Sequence, residues 1–136
     1  MFFKNKESKT NQSFIKVAAL LIHAAKIDQD YSENEEKIIK KALLEIGIKT
    51  ENVQEIISTG KEIESNSNQI LDFTKEVKKM GNENKIKIIE TLWRIIYSNK
   101  EADVYETSLM RRLGGLLYID NKVMGNIKER IIKEIK

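Results

Sequence analysis

Apolar residues recur at three- and four-residue spacing along nearly the whole chain, and no stretch keeps the two-residue alternation of a strand. From Ser13 the stripe Phe14, Val17, Ala18, Leu21 and Ala25 predicts a first helix to about Ile27, and one further step reaches Asp28. Ser32, with Glu35 three residues on, reads as a capping box in which the hydroxyl accepts from a helix amide and the glutamate reaches back. The second helix then runs to about Ile46 with Ile38, Ile39, Ala42, Leu43 and Ile46 inward, closed by Gly47. Thr50 starts a third, carrying Val53, Ile56, Ile57 and Ile63 and expected to be weakened at Gly60, before the polar break Ser65-Asn66-Ser67-Asn68. A fourth, about Gln69 to Met80, turns Ile70, Phe73, Val77 and Met80 to the core and stops at Gly81-Asn82. A fifth spans about Glu83 to Ser98 with Ile88, Ile89, Leu92, Trp93, Ile95 and Ile96. Asp103 with Glu106 opens a sixth, running to about Tyr118 with Leu109, Met110, Leu113, Leu116 and Leu117 inward. The pair Gly114-Gly115 inside it points to a close helix approach, since glycine there otherwise only weakens the helix. Asp120 caps the last helix, which bears Val123, Met124, Ile127, Ile131 and Ile135. The predicted fold is all-α, a compact bundle of about seven helices.

Two polar junctions stand out from this pattern. Asp28-Gln29-Asp30-Tyr31-Ser32-Glu33-Asn34-Glu35 joins the first two helices, and 71 positions on, Asn99-Lys100-Glu101-Ala102-Asp103-Val104-Tyr105-Glu106 joins the fifth and sixth. The same junction with the same flanks, occurring twice, predicts a duplicated helix-junction-helix unit.

Composition narrows the classes. A chain of 136 residues is most simply one domain with a core of its own; residues 1–12 are expected as a disordered basic start and 13–136 as the helical domain. The absence of proline and a count of six glycines leave too few breakers for an all-β fold. With no cysteine there is neither a disulfide nor a thiolate metal site, which suits a reducing, cytoplasmic setting. The net charge of +3 comes from interspersed signs, the pattern of a solvated helical surface and not of a nucleic-acid interface. No secretory signal opens the sequence, and the longest apolar run, Val17 to Ile22, is far below the about 20 residues of a membrane span. Phe2 and Phe3 beside Lys4, Lys6 and Lys9 allow at most a weak membrane-surface contact, the basis of a peripheral-adaptor alternative.

The chemistry concentrates at the first junction. Asp28 on one inward stripe and Glu35 at the start of the next bring two carboxylates together, with Asp30 between them. Close carboxylates need a positive partner, and a hard cation with oxygen ligands, Ca²⁺ or Mg²⁺, would supply it. The alternative is that Glu35 serves only the capping box and Asp28 is held by amides or by a lysine such as Lys41. An EF-hand loop is excluded, because its sixth and twelfth positions would be Glu33 and Ile39 where glycine and glutamate are required. His23, the only histidine, is expected as a packed or partly exposed residue, not a ligand, and Trp93 with Tyr97 as core. There is no activated serine, no cysteine and no phosphate-cradling glycine loop, so no enzyme is expected.

The stretch from Ala18 to Asp28, then Glu35, resembles the TerB family, the tellurite-resistance protein B-like domains of bacteria, which are related to the N-terminal part of the DjlA co-chaperones. The likeness extends through Glu90 to Asn99, Tyr105-Glu106, Leu109 to Leu113 and Leu116 to Ile119, covering the chain from about residue 14 onward. It implies a helical fold on a duplicated unit, a non-enzymatic role in stress responses through protein or membrane association, and an acidic junction for which metal binding has been proposed. By position the acids are Asp28 and Glu35, with Asp30 as neighbour. A second candidate site comprises Glu106 with Asp103 as neighbour. The family's Asp-Gly at each junction is replaced by Asp28-Gln29 and Asn99-Lys100, and Arg94 stands where an acid is common, so any cation is expected mainly at the first junction. The protein partner and the oligomeric state are not implied by any of these residues.

Overall fold

The computed structural model describes the backbone of residues 2–26, 33–66, 70–99 and 104–135, and the side chains of 12–26, 33–66, 70–98 and 107–134. Within them lie seven α-helices, a single 3₁₀ turn (Tyr97–Asn99) and no strand: α1 (Phe2–Ala25), α2 (Glu33–Glu45), α3 (Thr50–Asn66), α4 (Leu71–Lys78), α5 (Asn82–Ile96), α6 (Val104–Leu116) and α7 (Asn121–Ile135). The all-α bundle is as the periodicity predicts. The backbone is helical from Phe2, where the periodicity starts the first helix at about Ser13; residues 2–12 contain neither proline nor glycine, so nothing in them interrupts the ladder.

Helix α1 is the axis of the bundle. Val17 to Ile22, Ala24 and Ala25 are all buried, and the unbroken run Val17 to Ile22 is covered on every side and not on the single stripe the spacing implies. A helix that is apolar all round must lie inside, and α2, α3, α4 and α5 pack around it. Gly60 does not weaken α3. It lets α3 approach α1 so closely that a Cβ there would lie 3.0 Å from Ala18 Cβ and 3.3 Å from the Ala19 backbone nitrogen. The approach expected at Gly114-Gly115 is partly met: a Cβ on Gly114 would lie 3.3 Å from Met124 Cγ of α7, whereas Gly115 faces open space. Of the predicted inward residues of α7, Val123 is exposed while Met124, Ile127 and Ile131 are buried.

The duplication reaches further than the junctions. A shift of 71 positions carries Ala25, the end of α1, onto Ile96, the end of α5; it carries α2 onto α6 at both ends, and Thr50, the start of α3, onto Asn121, the start of α7. The bundle is therefore α1-α2-α3 and α5-α6-α7, with α4 as a connector that has no counterpart. Even the helix ends match. At the end of α2, Gly47 has φ 112°, its N–H donates to Leu44 O (3.2 Å) and that of Ile48 to Leu43 O (3.1 Å). At the end of α6, Tyr118 has φ 57°, its N–H donates to Gly115 O (3.3 Å) and that of Ile119 to Gly114 O (2.9 Å). Both are left-handed caps that satisfy the last carbonyls, and Tyr118 occupies the position where the first unit has glycine. Asp120 caps α7 as predicted, its Oδ1 accepting from the Lys122 N–H at 3.0 Å.

Candidate functional site

Of the residues predicted to form the acidic junction, Asp28, Asp30 and Asp103 lie outside the described residues, and Glu106 is described only as backbone within α6. Glu35 is described, and it is the decisive one. It sits in the first turn of α2 beside Glu33 and Glu36, is only 2% exposed, and has an interaction partner within the protein. Among the described residues Thr74 and Thr91 are the other buried polar side chains, and each donates to its own helix: Thr74 Oγ1 to Leu71 O (3.3 Å) and Thr91 Oγ1 to Lys87 O (2.7 Å). Glu35 is thus the one buried carboxylate among the described residues, placed at the amide end of a helix, where the dipole favours negative charge. Its neighbour Glu36 accepts from Lys61 Nζ at 2.7 Å, tying α2 to α3.

The descent of α1 toward the junction carries a second charged group that the spacing does not reveal. His23 is half-buried, its Nδ1 lies 3.2 Å from Glu64 Oε2 near the end of α3, and Lys26 Nζ donates to the same carboxylate at 2.8 Å. His23 is therefore the packed, partly exposed residue expected, but its acidic partner, 41 positions away, is not legible from periodicity. Among the described residues no three histidine, aspartate or glutamate side chains group so as to hold a metal ion.

The second unit repeats the theme with different residues. Arg94 stands at the position of His23 and also pairs with an acid near the end of its unit's third helix: Nε donates to Glu134 Oε2 at 2.7 Å and Nη2 to Oε1 at 3.0 Å. Arg130 of α7 reaches back to Glu90 of α5 at 2.6 Å, so two ion pairs clamp α7 onto α5. The hydrogen bond from Arg94 holds the Glu134 carboxyl below its ordinary range against the opposing effect of burial, with the charges of Arg94, Lys41 and Arg130 contributing. Lys41, one partner considered for Asp28, lines the small cleft that contains Arg94 and Glu134. A carboxyl held low contributes stability above its unfolded pKa and loses it as pH falls through the folded value. Because Glu134 is half exposed, screening limits that contribution to about 0.5 kcal/mol. Glu134→Gln is therefore expected to destabilise the protein by that amount at neutral pH and to match the wild type once the pH is below the carboxylate range, as read by urea unfolding at the two pH values.

With the duplicated helices and the junction acid in place, comparison with known proteins decides the lineage: the family model described as tellurite resistance protein TerB matches residues 14–129. The chain belongs to the TerB family. No curated protein and no solved structure matches it. The TerB match begins at Phe14 and spans both the α1-α2 and α5-α6 junctions, as the resemblance implies. Arg94, at the edge of the second junction, is paired with Glu134 of α7.

Proposed function

We propose that this TerB chain is a non-enzymatic binding protein whose first junction holds a divalent cation, Ca²⁺ or Mg²⁺, between Asp28, Asp30 and Glu35. The observation that supports it most is the burial of Glu35. A carboxylate so far from water is costly unless it is hydrogen-bonded and its charge is offset, and the acids that precede it in the chain offer further oxygen donors of the kind a hard cation takes. The second junction, with Asp103 and Glu106 but also Lys100 and Asn99, is the weaker of the two. In this reading the protein acts by association with a protein partner in a cytoplasmic stress response, without nucleic acid. The absence of cysteine supports that setting, and among the described residues no helix is long and apolar enough to cross a membrane. An N-terminal membrane-surface contact is the lesser alternative.

Thermal unfolding in chelator, Ca²⁺ and Mg²⁺ tests the cation. Binding to the folded state alone raises the Tm, so the wild type should melt higher with cation, and Glu35→Gln should lose that gain. Glu106→Gln is the internal control and should keep it. If Glu35 is only a helix cap, Glu35→Gln costs a few tenths to about 1 kcal/mol whatever the cation, because the amide can still reach back to the Ser32 backbone. Identical wild-type curves in chelator and in excess cation would overturn the site and leave Glu35 as a cap.

A further inference from the structure

The two units differ at one corner. Between α5, α6 and α7 lies an open cleft of about 170 Å³, walled by Trp93, Met110 and Met124, with Gly114 and Gly125 along it and Arg111 and Lys128 at its rim. The 71-residue shift places Leu43 of the first unit at Gly114 and Ile57 at Lys128, and both are fully buried. Ile39, at the position of Met110, and Val53, at that of Met124, are buried too. In the first unit buried apolar side chains occupy this corner. The second has exchanged the leucine for glycine and the isoleucine for lysine, which opens it.

The opened corner has a definite chemistry. Trp93 is 4% exposed, and its Nε1 is the one buried side-chain nitrogen or oxygen among the described residues without a hydrogen-bond partner, so the ring meets the cleft with no polar contact of its own holding it. Lys128 Nζ lies 5.4 Å from the centroid of the Trp93 ring, and no described acid lines the cleft. The volume is below the roughly 300 Å³ at which small-molecule pockets begin, and suits one inserted side chain. Two methionines in the wall adapt to its shape.

We infer that this cleft is a docking site for an acidic segment of a partner protein, which inserts one apolar side chain beside Trp93. The apolar side chain lies against the indole ring, and Arg111 and Lys128 meet the flanking carboxylates of the segment. The site is separate from the cation junction and stands or falls independently of it.

Trp93 is the only tryptophan, so its indole N–H gives a single cross-peak that reports the cleft directly. The full chain, labelled with ¹⁵N, would be titrated with a capped peptide carrying one phenylalanine between runs of glutamate. A saturable shift of the indole peak is expected. Replacing the glutamates by lysine, or the phenylalanine by alanine, should weaken binding by roughly tenfold or more, and so should Lys128→Glu. The triple variant Gly114→Leu/Met124→Val/Lys128→Ile installs the side chains that fill the first unit, so it should melt no lower than the wild type and show no shift. An unmoved indole peak at millimolar peptide, or equal binding of the lysine peptide, would overturn the site. Binding of phenylacetate as tight as the glutamate peptide would overturn the assignment to a protein segment.

Discussion

Gly60→Leu should lower the folding stability by about 3 kcal/mol or more, the upper end of what overpacking a tight helix contact costs. The wall that a new side chain would meet is the body of α1: Ala18 Cβ at 3.0 Å, the Ala19 nitrogen at 3.3 Å and the Ile15 oxygen at 3.4 Å from even a single added Cβ. Two of these three atoms are backbone of α1 and the third is an alanine Cβ, so no flexible side chain can yield. Gly60→Ala should be milder, about 1 kcal/mol, because the better helix propensity of alanine offsets part of the clash. Gly115→Ala is the control. Nothing lies within 4 Å of its Cβ, so the same exchange there should stabilise by a few tenths to about 1 kcal/mol. Urea midpoints at unchanged m-value would read all three; a neutral Gly60→Leu would show that α1 and α3 do not approach as described.

Trp93→Ala should cost about 3 to 5 kcal/mol, as expected for deleting a large buried ring. The ring packs within the core, stacks on Tyr97 at 5.9 Å between centroids, and carries Lys128 on its other contact. Trp93→Phe should cost only about 1 kcal/mol or less, because the change also removes a buried donor that has no acceptor in the free protein. The gap between the two variants measures ring burial separately from the indole nitrogen. If Trp93→Phe proved as damaging as Trp93→Ala, the N–H would have to be engaged.

The helices themselves were legible because periodicity is a local property. Ile88, Ile89, Leu92, Trp93, Ile95 and Ile96 all face inward, as their spacing implies. What periodicity cannot hold is which helix meets which. The stripe Phe14, Val17, Ala18, Leu21, Ala25 describes one face of α1, but Leu20, Ile22 and Ala24 are buried as well, because α1 is enclosed by four neighbours. Gly60 reads as a flaw in α3 until Ala18 and Ala19 are placed across from it. Val123 fits the apolar period of α7 yet faces outward at the helix start. Repetition was legible at the junctions, where the residues are alike. It was not legible in α3 and α7, where the units share the helix start while Ile57 has become Lys128. In the candidate site, the inward placement of Glu35 follows from its register with Ile39 and Leu43, all of them buried. The partnership of His23 with Glu64 joins separate helices and leaves no local trace.

Helix α5 opens the second unit, yet it packs against α1 and α2 of the first as well as α7 of its own. Its buried residues, from Ile88 to Ile96, are consequently shared between what were once two copies. Each half has surrendered its independence: separated, either would expose the apolar surface that the other now covers. The chain should thus lose its structure in one cooperative transition, with no half surviving as a populated intermediate.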